Sequence, residues 1–334
     1  MAYVATDADE VHFVATPDGW RLALHRYRPR ADGPGTPVVL CGGYGCNRHF
    51  LDADERASLA RFLARHGFDA WLLELRGRGL SHPIAACRRP GAWTFDDLAT
   101  IDLPAGIAYV AAATGRRVAW IGHSMGGMVL YAYLGCHPSA VDTVLAGVTI
   151  ASPVVFPAVS SALLNRIGHL LLGVPFSDTV PQRLLLGMLW HLVGRTDAAA
   201  VGMNPANVDH NEVGRVLRHA LSDVSRLKLR QLAGWALEGG FTSVDGRVDY
   251  RAALAHVKTP LLVVAGSLDQ LATPSAVHRV LDHLPAAQTS YLEFGRAHGH
   301  SIDYGHLDLI LGRAAPREVF PAVTGWLDAH ARRG

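Results

Sequence analysis

The chain is poor in cysteine, has no surplus of either charge, and lacks a long apolar run. Its 334 residues include four cysteines, which are scattered and lack the spacing of a metal site or a disulfide framework. Lysine and arginine total 31 against 29 aspartate and glutamate, so charge gives no argument for nucleic acid or an anionic membrane. No apolar stretch reaches the ~18 residues of a membrane span. We therefore expect reduced thiols, no bound nucleic acid and no stable membrane span.

The first ten residues are acidic and lack the apolar core of a secretory signal. Together with the few cysteines, this favours a cytoplasmic protein. The two longest apolar segments, residues 163–174 and 184–193, are interrupted by Arg166, His169, Gly187 and His191. Nothing in the sequence indicates an oligomeric state.

Apolar segments typical of buried strands alternate with segments of helical periodicity. Apolar residues alternate on both sides of Pro17-Asp18-Gly19 and predict an opening β-hairpin. Further strands are predicted at Val38–Cys41, Phe68–Leu75, Arg117–Ile121, Thr143–Ile150, Pro260–Ala265 and Ser290–Phe294, and helices at Ala57–Arg65, Asp96–Ala113 and Val319–Ala331. This alternation favours a mostly parallel sheet with helices on both faces.

The alternation stops between Ser152 and Lys258. This insert of about 100 residues is far longer than the ~2–6 residues of an ordinary helix-to-strand connection, and its Leu, Met and Trp residues indicate several helices. We expect a helical cap over the carboxyl ends of the strands, where ligands bind in open α/β sheets. The predicted organisation is a core of residues 1–151 and 259–334 with a cap of residues 152–258.

A G-x-S-x-G turn, Gly122-His123-Ser124-Met125-Gly126, lies between a predicted strand and an apolar segment that begins at Met128. A serine on so tight a strand-to-helix turn projects its hydroxyl from the sheet. The turn needs small residues two positions to either side of the serine. The pattern therefore predicts Ser124 as a nucleophile.

A serine nucleophile needs a base within hydrogen-bond reach and an acid that orients the base. Asp269 follows the strand Pro260–Ala265, at the same edge of a parallel sheet as Ser124. The preceding strand is followed by Ile150-Ala151-Ser152-Pro153, which contains no acid. We therefore predict Asp269 as the acid.

Three histidines near the end of the chain compete for the role of base: His298, His300 and His306. His306 is favoured because it follows the last strand by a loop and precedes the apolar segment Leu307–Leu311, which can anchor it. His298 is the alternative.

An oxyanion hole needs two backbone N–H groups aimed at the developing negative charge. Met125, immediately after the nucleophile, is one candidate. Tyr44 is the other, because Gly42-Gly43-Tyr44 follows the strand Val38–Cys41.

Other polar residues have simpler interpretations. His298, His300 and Asp303 could suggest a metal site, but they lie in a Gly-containing loop without helical i,i+4 pairing, so we expect neither a metal nor a cofactor. Arg76 and Arg78 are interpreted as charges on a surface loop. The basic run Arg215–Arg230 is interpreted as a solvated face.

The arrangement resembles the α/β-hydrolase superfamily, in which serine, acid and histidine follow one another in this order. The resemblance rests on Gly122–Gly127, Gly266-Ser267-Leu268-Asp269, Gly305-His306-Leu307-Asp308 and Leu75–Ser81. Within the superfamily the chain is similar to the lipase and esterase branch, and Tyr304–Asp308 is similar to the histidine segment of acid-lipase-like members. One departure is that many members have His-Gly before the oxyanion residue, where this chain has Gly42-Gly43.

These residues predict a serine hydrolase that cleaves an apolar carboxylic ester through an acyl-enzyme, with a small-molecule substrate and an acyl pocket lined partly by the cap. An acyltransferase or a polyester-active enzyme with the same triad is an alternative. A non-hydrolytic binding or biosynthetic protein on this fold is a second alternative, because fold alone does not fix function.

Overall fold

The computed structural model describes residues 7–31, 33–156, 178–185, 201–284 and 289–331. The strands are β1 Glu10–Ala15, β2 Trp20–Tyr27, β3 Thr36–Cys41, β4 Phe68–Glu74, β5 His82–Pro83, β6 Val118–His123, β7 Val144–Ile150, β8 Thr179–Val180, β9 Val224–Ser225, β10 Leu261–Gly266 and β11 Thr289–Phe294. The helices are α1 Leu59–Arg65, α2 Phe95–Asp97, α3 Leu103–Thr114, α4 Met125–Cys136, α5 His210–Ala220, α6 Arg226–Glu238, α7 Tyr250–Ala253, α8 Pro274–His278, α9 Asp308–Leu311 and α10 Val319–Ala331.

One large sheet has the strand order β1-β2-β4-β3-β6-β7-β10-β11, and β5 adds a short ninth strand beside β2. The β1–β2 and β2–β4 pairs are antiparallel, whereas every pair from β4 to β11 is parallel. Every residue of β3, β4, β6, β7 and β10 is buried, as in a sheet covered on both faces. The predicted mostly parallel sheet, with its opening hairpin, is confirmed.

Two groups of helices flank this sheet. Helix α1 packs against β4 and against the closing helix α10, while α3 and α4 pack on β3 and β6 and on each other. The predicted helix Asp96–Ala113 forms as α2 and α3, which are joined by a π-helical turn at Leu98–Asp102. Strand β6 runs two residues further than predicted, so it leads directly into Ser124.

The predicted cap segment, residues 152–258, is described only in part. Its described elements include α5, α6, α7 and a two-stranded antiparallel pair of β8 with β9. Helix α7 packs on α4, where a Cβ placed on Gly135 would lie 3.0 Å from Ala253. The apolar segment 163–174, and all of 184–193 except its first two residues, lie outside the described residues.

A short part of the insert binds the loop that follows β3. The backbone N–H of Ser222 donates to Gly45 O at 2.8 Å, and the N–H of Asn47 donates to Ala220 O at 2.7 Å. A β-bridge joins Cys46 to Leu221. The carboxyl end of β3 is therefore covered by residues 220–222.

Within the ranges given above, no helix is long and apolar enough to cross a membrane.

Candidate active site

Ser124 lies between the end of β6 and the first residue of α4, with φ 52° and ψ −119°. A positive φ is uncommon for a residue with a side chain and stores backbone strain. The Ser124 N–H donates to Ile150 O of the neighbouring strand at 2.7 Å, which holds the strained turn in place. The side chain is half-buried, so its hydroxyl is within reach of a ligand.

The two glycines of the turn have no room for a side chain. A Cβ on Gly122 would lie 2.3 Å from the carbonyl carbon of Gly126, and one on Gly126 would lie 2.3 Å from Cys41 O. Strand β6, helix α4 and the end of β3 therefore meet backbone to backbone around Ser124. This contact is the physical reason for the G-x-S-x-G spacing.

Asp269 and His306 form a buried hydrogen-bonded pair. The Nδ1 atom of His306 lies 2.8 Å from Asp269 Oδ2, and both side chains are almost wholly buried. The second carboxylate oxygen, Oδ1, accepts the backbone N–H groups of Leu271 and Ala272, each at 2.8 Å. The carboxylate is thus fixed from both sides and fixes the imidazole in turn.

His123 joins the serine turn to the His306 loop. Its Nε2 lies 3.0 Å from His306 O, and the two rings are edge to face with centroids 4.8 Å apart. Burial, reinforced by the charge of His306, lowers the pKa of His123 to about 3, so the imidazole is neutral and Nε2–H donates. Among the hydrogen bonds of the described residues, none joins Ser124 Oγ to the His306 ring. Such bonds often tighten only when substrate binds.

The competing histidines lie apart from this pair. His298 is exposed, and its Nε2 lies 3.2 Å from Glu293 Oε1. His300 Nδ1 contacts the backbone of Gly295. Asp303 accepts from Ser267 Oγ at 3.0 Å. In the part of the chain that the structure describes, no group of three or more His, Cys, Asp or Glu side chains could hold a metal ion.

The two candidate oxyanion donors flank Ser124. A Cβ on Gly43 would lie 3.1 Å from Ser124 Cβ, so the loop that carries Tyr44 passes directly against the serine. Met125 is the first residue of α4, and the N–H groups at a helix start have no intrahelical partner.

A family model described as the alpha/beta hydrolase fold matches residues 36–312. The chain belongs to the α/β-hydrolase family. The predicted resemblance is thereby confirmed, and the strand order and the position of Ser124 after the central strand β6 agree with it.

Curated relatives of this α/β hydrolase are lipases. Triacylglycerol lipase 1 of Arabidopsis thaliana is 25% identical over 92% of this chain and 84% of its own. Gastric triacylglycerol lipase of Bos taurus is 25% identical over 93% of this chain and 86% of its own. Among solved structures, a thermophilic esterase from Thermogutta terrifontis has a TM-score of 0.64 at 19% identity, covering 96% of this chain and 98% of its own. That structural similarity concerns the fold.

The interpretation of Arg76 and Arg78 as surface charges is wrong for this α/β hydrolase, because each is only 2% exposed. Arg76 forms an ion pair with Asp102, with Nη2 2.7 Å from Oδ1. Arg78 Nη1 donates to Gly42 O at 3.0 Å and to Cys46 O at 3.3 Å. The arginines turn inward because buried acceptors receive their guanidinium groups, Asp102 for Arg76 and two backbone carbonyls for Arg78. Arg78 thus braces the Gly42–Cys46 loop, in which Gly42 stands where many members of the family have histidine.

The interpretation of residues 215–230 as a solvated face is wrong at Arg226 and Lys228, which are 9% and 1% exposed. Lys228, Gln231 and Trp235 recur at helical spacing on the buried face of α6. The Lys228 Nζ lies 4.6 Å from the centroid of the Tyr44 ring. A lysine on a predicted helix ordinarily faces water, so no sequence pattern predicts this contact.

Proposed function

We propose that this chain is a serine hydrolase that cleaves carboxylic esters through Ser124, His306 and Asp269, with Met125 and Tyr44 as the oxyanion donors. The observation that carries the proposal is the buried His306–Asp269 pair, whose Nδ1 and Oδ2 atoms lie 2.8 Å apart. His123 is hydrogen-bonded to the His306 backbone and directly precedes Ser124, whose backbone is strained. The curated relatives named triacylglycerol lipases support ester hydrolysis.

The chemistry follows from these positions. Ser124 Oγ attacks the ester carbonyl while His306 accepts the hydroxyl proton through Nε2 and then donates it to the leaving alcohol. Asp269 holds the Nδ1–H tautomer and stabilises the imidazolium. The backbone N–H groups of Met125 and Tyr44 receive the negative charge of the tetrahedral intermediate. Water, activated by the same histidine, releases the acid. No cofactor enters these steps.

We further propose that residues 152–258 form a cap beside this site and that the bulk of the substrate is apolar. The contacts of residues 220–222 with the loop after β3 support a position over the sheet edge. The apolar composition of the insert supports an acyl-binding surface. The cytoplasmic location predicted above remains part of this proposal.

The direct test is labelling of the native protein with a fluorophosphonate probe, followed by peptide mass mapping. We expect one adduct, on Ser124, and none in the Ser124→Ala variant. The Ser152→Ala variant is a matched control, because Ser152 is a buried serine close to the same turn and should not affect labelling. A native protein without an adduct on Ser124, or with the adduct on another serine, would overturn the assignment.

Adding alcohols to the ester assay and measuring the product ratio separates hydrolysis from acyl transfer.

A further inference from the structure

Two buried cations flank the loop Gly42–Cys46, and neither has a carboxylate partner in the described part of the chain. Arg78 braces the loop through two backbone carbonyls, and the Lys228 Nζ lies over the Tyr44 ring of the same loop. Burying a charge is costly unless it is paired. Of the 29 acidic residues, only Asp32 and Asp197 lie outside the described residues.

The unused edge of Arg78 has the geometry that holds a carboxylate. Its Nε and Nη2 atoms are buried and lack a hydrogen-bond partner among the described residues. Arg26 uses the same Nε–Nη2 edge to hold both oxygens of Asp69, at 2.9 Å each. Two parallel N–H donors match the spacing of carboxylate oxygens. Arg78 therefore presents two parallel N–H donors without a partner among the described residues. The equivalent donors of Arg26 hold a carboxylate.

The side chains nearest the loop offer donors but no negative charge, and Asp102, whose charge reaches Lys228, is already paired with Arg76. The Tyr44 hydroxyl is buried without a partner in the described ranges, and burial raises the pKa of this phenol, so it remains protonated. Burial likewise raises the pKa of the Cys41 and Cys46 thiols to about 11. Burial, together with the charge of Arg78, holds the pKa of Lys228 well below its ordinary value. An anion arriving here would favour the charged lysine.

This donor cluster is next to the reacting centre. The loop between the two cations touches Ser124 at Gly43 and carries the Tyr44 N–H, the candidate oxyanion donor. An ester whose carbonyl carbon lies at Ser124 Oγ is therefore beside this loop, and the group that the donors would bind belongs to the end of the ester near Tyr44.

We propose that Arg78 and Lys228 form a carboxylate subsite beside Tyr44, so that the preferred substrate is an ester that also carries a free carboxylate. The subsite rests on the proposed ester hydrolysis. It narrows the substrate from any apolar ester to one with an apolar body and one anionic end.

The sequence provides a matched pair of variants, because Lys228 and Lys258 are the only lysines of the chain. Lys258 is exposed. Lys228→Met keeps the length of the side chain and removes the buried amine, a change that favours folding. Lys258→Met removes a surface charge and leaves the loop untouched.

The activity test compares p-nitrophenyl half-esters of straight-chain dicarboxylic acids with the same esters capped as methyl esters. We expect the half-ester to have the higher kcat/KM, and Lys228→Met to lower that preference by about 10- to 100-fold, the range of a charge-assisted contact. Lys258→Met should keep the preference.

A second series, acetyl esters of hydroxy acids and of their methyl esters, determines whether the carboxylate belongs to the acyl or the alcohol half. Equal kcat/KM for charged and capped esters in both series would overturn the proposal.

A binding test separates failure of the subsite from failure of the proposed function. Protein labelled with ¹³C,¹⁵N-lysine gives two side-chain NMR signals, assigned with the two Met variants. In the catalytically inactive Ser124→Ala protein, glutarate should shift the Lys228 signal, and its neutral diamide should not. If neither signal moves, or if the Lys228 signal responds to Asp197→Asn instead of to glutarate, the subsite does not exist. Fluorophosphonate labelling of Ser124 can succeed in either case.

Discussion

His123 Nε2 lies 3.0 Å from the backbone carbonyl oxygen of His306, so the residue before Ser124 holds the loop that carries His306. The contact depends on a neutral, buried imidazole whose Nε2–H donates. Because the donor is a side chain of β6 and the acceptor belongs to the loop after β11, one hydrogen bond sets the distance between two parts of the candidate triad.

The burial of this imidazole makes the stability of the fold depend on pH. The pKa of His123 is about 3 in the folded chain against an ordinary value of 6.5. Between those values the unfolded chain binds a proton that the folded chain does not, so the free energy of unfolding is fully retained above pH 6.5. Below pH 6.5 the free energy of unfolding falls by about 1.4 kcal/mol for each pH unit as the pH drops toward 3. Urea unfolding across this range should show a shallower pH slope for His123→Phe than for the native chain. His298→Phe, at an exposed position, should keep the native slope; parallel slopes for all three proteins would contradict the prediction.

Replacing Asp269 by asparagine should lower kcat by about 10⁴-fold with little change in KM. The amide cannot hold the Nδ1–H tautomer of His306 or balance its charge. Ester hydrolysis at saturating substrate measures the change. Asp303→Asn is the control, because Asp303 contacts Ser267 rather than His306. A larger loss in Asp303→Asn would place the acid elsewhere.

Removal of the base should distinguish the two histidine candidates. His306→Ala should lower kcat on the order of 10⁶-fold, the loss typical of a serine hydrolase without its base. His298→Ala removes an exposed side chain that contacts Glu293 rather than Asp269, and it should change kcat less than twofold. The same activated ester serves both variants. The opposite order of losses would make His298 the base.

The serine turn should tolerate no added methyl group. Gly122→Ala places a Cβ 2.3 Å from the Gly126 backbone, where no side chain can yield, and should reduce the free energy of unfolding by about 3 kcal/mol. Gly325→Ala, in α10 with open space around it, should instead stabilise the chain by about 0.5–1 kcal/mol. Urea denaturation of both variants measures the difference. A Gly122→Ala protein as stable as the native chain would show that the turn is not close-packed.

The central strands of the sheet could be predicted from the sequence because they are largely continuous apolar runs that need no partner to be recognised. The segment Leu261–Gly266 is an example: every residue is buried, and Asp269 follows within three residues. The Asp269–His306 contact followed from the rule that the ends of parallel strands share one edge. The family resemblance added the order of serine, acid and histidine along the chain.

The buried cations could not be predicted in this way. Lys228 lies in a strongly basic segment, and only its packing against Tyr44 distinguishes it from exposed neighbours. Arg78 lies in a glycine-rich loop whose inward course depends on the carbonyls of Gly42 and Cys46, which are distant in sequence. Such burial is decided by tertiary contacts, which neither periodicity nor composition encodes.

The backbone conformation of Ser124 also limits which nucleophiles this turn could ever carry. At φ 52°, a residue branched at Cβ meets its own backbone, so threonine is unsuitable although its hydroxyl has the same chemistry. Cysteine is unbranched and of similar size, and it fits the same conformation. Any exchange of the nucleophile at this position, evolved or engineered, must therefore keep an unbranched side chain. A cysteine thiol meets this condition, whereas the secondary alcohol of threonine does not.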